Sequence, residues 1–155
     1  MLELNEKIKE HFRNPHNAGE IENSEGMGTI NNPVSTKLYL RIKSGVVEDA
    51  KFLSFGCAVT IAYASVLTEK IKGKEIFKLL SGTDEEVVKQ LISLIESELG
   101  EIPPVKLHCP PGTVQVFLES IAGYFEKEGK NELSSRAKRL IPQISEYYKR
   151  GEEKE

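Results

Sequence analysis

The stretch "KLYLRIKSGVVEDAKFLSF", from Lys37 to Phe55, does most to limit what this chain can fold into. Leu38, Leu40 and Ile42 fall on one side of an extended segment. Tyr39, Arg41 and Lys43 fall on the other, because successive strand side chains point to opposite faces. Ser44-Gly45 is a turn signal, so "VVEDAKFLSF" returns as an antiparallel partner. A two-stranded ribbon with one apolar face needs a cover for that face. The next residues supply it. Gly56 breaks the strand, and "CAVTIAYASVL" is apolar on nearly every side. That pattern predicts a buried helix from about Cys57 to Lys72, with Gly73 as its stop.

Amphipathic helices account for most of the remainder. Leu4, Ile8 and Phe12 mark one face of a short helix that ends before Pro15. "RNPHNAGEIENSEGMG" is rich in Asn, Gly and Pro and reads as an ordered loop. Its "GMG" is no phosphate loop, since no helix with a lysine follows at the needed spacing. "KEIFKLL" is a short amphipathic piece. Thr83 and Glu86 have capping-box spacing, ahead of a face made of Val87, Val88, Leu91, Ile92, Ile95 and Leu99 and closed by Gly100. Val114, Phe117, Leu118, Ile121 and Phe125 trace another helix, closed near Gly129. Leu133, Ala137, Leu140, Ile141, Ile144 and Tyr148 trace a last one. Pro142 predicts a kink or break in it, and "GEEKE" a frayed end. The expected fold class is α+β, a small antiparallel sheet of about three strands with several helices packed on one face. The expected division is a domain over 1–129 and a C-terminal helical extension over 130–155.

Charge narrows the function classes. Lys and Arg total 21 against 24 Asp and Glu, a net charge of −3. With neither sign dominant, nucleic acid and anionic membrane are not the default partners. The longest apolar stretch is far shorter than the roughly 20 residues a bilayer requires. "MLELNEKIKEHF" has charges within it and no small-residue cleavage site, so it does not read as a secretory signal. A cytoplasmic location is expected. The two cysteines, Cys57 and Cys109, are in that setting more often catalytic, metal-binding or merely buried than bridged.

Both cysteines stand where thiol chemistry is plausible. Cys57 opens a predicted helix, whose dipole and free N–H groups stabilise a thiolate. In "IPPVKLHCPPG", His108-Cys109 ends an extended segment just before another helix. Thiolate and imidazole suit zinc or iron. Spacing alone also allows the plainer alternative of two cysteines packing as small hydrophobes and a histidine bonded to backbone. His11 reads as a surface or packing residue, and His16 as either a loop residue or a ligand. No Gly-x-Ser-x-Gly motif and no carboxylate pair tied to a histidine is found, so the chain is not read as an enzyme.

"HFRNPHNAG", "FLSFGCAVTIAYASVLTE" and "IPPVKLHC" occur in this order. Together they resemble the IscU/NifU-type iron–sulfur cluster scaffold family, from about Asn5 to Tyr124. The resemblance implies a site of three cysteines, a histidine beside the third, and an aspartate two residues after the first. The second cysteine is then Cys57, the histidine His108 and the third cysteine Cys109. The first cysteine, the glycine and the aspartate of the family fall on Ser35, Thr36 and Lys37. Ala58-Val59 stands where scaffolds have Gly-Ser, and Pro110-Pro111 follows the third cysteine. A serine hydroxyl stays protonated near neutral pH and is a poor ligand. A lysine repels a cation and can pair with a thiolate. A binuclear cluster wants four protein ligands, and at most three remain.

The resemblance therefore implies an iron–sulfur cluster, iron or zinc on Cys57, His108 and Cys109, or a site left empty by the two lost ligand positions. It also implies a cysteine desulfurase as partner. A DnaK-type chaperone with its J-domain co-chaperone would dock at Ile102, Pro103, Pro104, Val105 and Lys106. A homo-oligomer is compatible with it. The alternatives are a paralogue that acts as adaptor or regulator of a desulfurase or chaperone, and a dithiol or persulfide carrier. All of them expect Ser35, Lys37, Cys57, His108 and Cys109 to converge at one end of the molecule.

Overall fold

In a computed structural model of the chain, the alternating stretch forms two strands of a three-stranded antiparallel sheet. The structure describes residues 6–30, 35–55, 57–100 and 110–154, with side chains except those of 110, 111 and 151–154. Among them the order is α1 (Glu6–Arg13), β1 (Gly26–Ile30), β2 (Thr36–Lys43), β3 (Val46–Ser54), α2 (Ala58–Ile71), α3 (Ile76–Leu79), α4 (Asp84–Leu99), α5 (Pro110–Lys127) and α6 (Asn131–Lys154). The expected α+β class, with helices on one sheet face, is observed.

The β2–β3 hairpin turns at Ser44 and Gly45, with φ of 52° and 76°. Positive φ at both positions is the turn whose twist matches antiparallel strands. Leu38, Leu40, Ile42, Ala50 and Phe52 are buried under the helices. The far edge of β3 is closed by the loop after α1: Gly19 N–H donates to Phe52 O at 2.8 Å, and Phe52 N–H to Asn17 O at 3.0 Å. An edge strand is thus kept from pairing with other chains.

β1 departs from the loop expected there. Gly26 and Gly28 look like turn residues in the sequence, yet they share the buried face of a strand paired to Leu40 and Leu38. A Cβ on Gly28 would come within 2.6 Å of Val116 O, and one on Gly26 within 2.9 Å of Ser120 O. The glycines let the backbone of α5 lie directly on the strand.

α2 contacts β3, α1, α4 and α5, which is why it is apolar all round. The capping box of Thr83 and Glu86 forms at the start of α4, and the expected apolar face of that helix is buried. Three expectations fail. Phe12 is 46% exposed; the buried residues of α1 are Ile8 and His11, because a serine of α2 receives the imidazole. Pro142 does not break α6, which runs on to Lys154, through the tail expected to fray. The proline ring is exposed. Beside it, Gln115 Nε2 donates to Ile141 O at 3.1 Å and Ser145 Oγ at 2.7 Å, tying α6 to α5.

Candidate functional site

The three strands finish or start at one end of the sheet: β1 ends at Ile30, β2 begins at Thr36 opposite it, and β3 ends at Ser54 opposite Thr36. The ladder runs one step further, since Phe55 N–H donates to Ser35 O at 3.0 Å. Two residues on, Cys57 caps α2 in an extended conformation, and its carbonyl accepts from Ile61 N–H at 3.1 Å. α5 starts at the same end, for a Cβ on Gly112 would lie 3.9 Å from Ile30 Cγ2. Two helix N-termini thus face one end of the sheet. Neither has an acidic residue in its first turn. Partial positive charge there favours a thiolate or another anion.

Cys57 is half-buried and packs against the core. Its Sγ lies 3.4 Å from Thr60 Oγ1, a hydroxyl that can donate to the thiolate. Thr36 Oγ1 and Ser54 Oγ meet at 2.9 Å, and Thr36 is buried. In the first turn of α5, Thr113 is also buried, and its hydroxyl has no hydrogen-bond partner among the described residues.

The structure brings Ser35 and Cys57 to the same end. Lys37 starts there too, but the alternation that buries Thr36 and Leu38 sends it to the open face of the sheet, where it is exposed. His108 and Cys109, and the segment Ile102 to Lys106, lie outside the described residues, so the expected meeting of Cys57 with His108 and Cys109 does too. Among the described residues no group of three His, Cys, Asp or Glu side chains is placed to hold a metal ion. The described donors at this end are one thiol and several neutral hydroxyls. That set can supply a single soft ligand or a sulfur nucleophile, and it does not close a metal site alone. Thr60 and Thr113 carried no recognisable signal in the sequence beyond the three-residue spacing of Thr60 from Cys57.

His11 and His16 stand elsewhere, against the middle of α2, where both engage Ser65. No described helix is long and apolar enough to cross a membrane.

The fold and this cysteine-bearing end define a class. The NifU-like N terminal domain family matches residues 3–131, and the chain belongs to that family. An iron-sulfur cluster assembly scaffold protein IscU of Archaeoglobus fulgidus is 39% identical over 128 residues, 81% of this chain and 78% of that protein. The IscU of Aquifex aeolicus is 35% identical across 99% of this chain and 92% of its own length, so similarity extends through α6. Among solved structures, the N-terminal part of a NifU-like protein from Brucella abortus superposes with a TM-score of 0.56 at 17% identity, covering 79% of this chain and 94% of that one. It supports the fold.

Proposed function

We propose that this protein is a scaffold-class component of iron–sulfur cluster assembly, holding iron, a nascent cluster or zinc as cargo rather than catalysing a reaction. The observation that carries the reading is the placement of Cys57 at the N-terminus of the buried helix α2, beside Ser35 at the end of the sheet where α5 also begins. Family membership makes His108 and Cys109, just ahead of α5, the other ligands in this reading. A cysteine desulfurase is the sulfur source. Ile102 to Lys106 is the docking segment for a DnaK-type chaperone and its J-domain partner, since paired prolines hold a recognition segment extended with little entropy left to lose. The scaffold unit spans 1–129, with 130–155 as its helical extension, and it works in the cytoplasm.

A second reading, a persulfide or dithiol carrier or an adaptor, is favoured by one feature. Ser35 and Thr36 stand where the resemblance places the first cysteine and its glycine, the Ser54 hydroxyl meets that of Thr36, and Thr60 adds a hydroxyl beside the thiol. The deciding measurement is iron and acid-labile sulfide in protein purified without air. Stoichiometric amounts of both support the scaffold. Neither, with two titratable thiols, supports the carrier. Ser35→Cys with Lys37→Asp restores a thiolate and a carboxylate and removes a positive charge. It is expected to raise cluster or zinc occupancy at least tenfold and to release protons on binding. Equal affinity in parent and double variant would rule out these two positions as the cause of a weak site.

A further inference from the structure

We propose that the Thr113 hydroxyl is a donor kept free for a sulfur anion at the cysteine-bearing end, which makes Thr113 a positioning residue for the cargo. The inference rests on the scaffold reading above. α5 runs antiparallel to β1: Ser120 O lies against Gly26, Val116 O against Gly28, and Gly112 beside Ile30. Thr113, Val116 and Ser120 have the spacing of one helical face. Thr113 therefore extends the sheet-facing side of α5 by one turn beyond Gly28. That turn stands over the last row of the sheet, where Ile30 pairs with Thr36 and Thr36 with Ser54. Ser35 and Cys57 lie just past the same row.

Thr113 is 1% exposed. Among the buried side-chain nitrogens and oxygens of the described residues, its Oγ1 is the atom without a partner. The hydroxyls around it are engaged. Those of Thr36 and Ser54 meet at 2.9 Å, and Thr60 Oγ1 lies 3.4 Å from Cys57 Sγ. Buried hydroxyls elsewhere on the helices return to a carbonyl of the preceding turn: Thr68 Oγ1 donates to Ala64 O at 2.8 Å and Ser120 Oγ to Phe117 O at 2.7 Å. Among the described residues Thr113 makes no such bond. An apolar side chain of the same branched shape would leave nothing unpaired, so the hydroxyl destabilises the empty protein. A polar group buried despite that penalty points to a ligand that accepts from it. Charge at this end selects an anion, since α2 and α5 both present their N-termini and neither has an acidic residue in its first turn. The described thiol, Cys57, selects sulfur: a thiolate held by a bound metal ion, or sulfide. The Thr113 hydroxyl donates to that sulfur and fixes where it sits.

The experiment compares the full chain with Thr113→Val and Thr113→Ser, all without air. Each is melted alone, with zinc, and with ferrous iron plus sulfide, and its affinity for zinc is titrated. Alone, Thr113→Val is expected to melt about 2–4 °C above the parent, because an unpaired buried hydroxyl is gone. Thr113→Ser keeps the hydroxyl and should melt no higher than the parent. With ligand the order reverses: Thr113→Val should bind roughly tenfold more weakly than the parent, and Thr113→Ser within about twofold of it. A deficit that appears with zinc makes the acceptor a ligand thiolate, and one confined to iron plus sulfide makes it sulfide. Thr113→Val that melts no higher than the parent, or fails to fold, overturns the proposal and leaves the scaffold reading standing. So does equal binding by parent and Thr113→Val, or a loss of binding that Thr113→Ser shares. A parent that gains no stability from zinc or from iron plus sulfide overturns the scaffold reading and this proposal together.

Discussion

At the scale of single residues, the glycines of β1 and α5 make opposite demands. Gly28 is buried against the backbone of α5, where an added Cβ would meet Val116 O at 2.6 Å and Ser120 N at 3.0 Å. Backbone cannot step aside as a flexible side chain can. Gly28→Ala is therefore expected to destabilise the fold by about 1–3 kcal/mol, the usual cost of overpacking. Gly123 lies on α5 with nothing among the described residues within 4 Å of its would-be Cβ, so Gly123→Ala should stabilise by up to about 1 kcal/mol through helix propensity. Urea unfolding of the two variants checks this. A Gly28→Ala protein as stable as the parent would mean that α5 can lift off the strand at no cost. The same residues explain why β1 was not legible in the sequence. Glycine spacing records a close approach, but not whether the approaching partner is a ligand, a turn or a helix. His11 was illegible for a related reason, because a polar residue reads as surface unless its buried partner, here Ser65, is known.

At the scale of elements, periodicity was the dependable signal. The hairpin, the all-round apolar α2 and the capped α4 follow from local pattern, since each depends on residues close in sequence. What the pattern could not supply was continuity past Pro142, in a helix that Gln115 of α5 also ties down at Ile141 O. The convergence of Ser35 and Cys57 was legible only through the family resemblance, because it is produced by strand pairing across the hairpin. Docking of α6 onto the start of α4 is likewise non-local. Asp84, the first residue of α4, receives Arg139 at 2.9 and 3.0 Å and Gln143 at 3.1 Å, with Arg136 at 3.7 Å. Hydrogen bonds from Arg139 and then Gln143 hold its carboxyl down from 3.8 to about 2. A depressed carboxylate contributes stability that is fully present above its unfolded value and is lost as pH falls through the folded one. Asp84→Asn is thus expected to cost about 1 kcal/mol at neutral pH, the pair being partly exposed. The deficit should shrink below pH 3.8 and disappear near 2. Denaturant midpoints of parent and variant across that range test it, and a deficit unchanged at low pH would assign the effect to packing instead of charge.

At the scale of the whole molecule, α2, α4 and α6 meet at one buried polar point. Tyr63 donates to Glu96 Oε2 at 2.7 Å and Tyr148 to the same oxygen at 3.3 Å, with the two phenol oxygens 3.3 Å apart. Ala137, Leu140, Ile144 and Tyr148 belong to the same continuous core as the sheet, so α6 is part of the structure that holds α2 in place and not an ornament on it. Burial, then the neighbouring phenol or the Glu96 carboxylate, pushes both phenols far above their ordinary value of 10.0. The folded molecule therefore retains two protons that the unfolded chain gives up. Stability contributed in this way is intact below the unfolded value and falls as pH rises above 10.0, by about 1.4 kcal/mol per pH unit for each phenol. Alkaline unfolding should accordingly be steep. The part of the phenolate absorbance due to Tyr63 and Tyr148 should appear together with the loss of helical circular dichroism. In the Tyr63→Phe, Tyr148→Phe double variant that coincident part should vanish, and unfolding should depend less steeply on pH. Ionisation of all the tyrosines with the helical signal intact would show that the hub opens to solvent without releasing α6, and that the three helices are held by their apolar contacts alone.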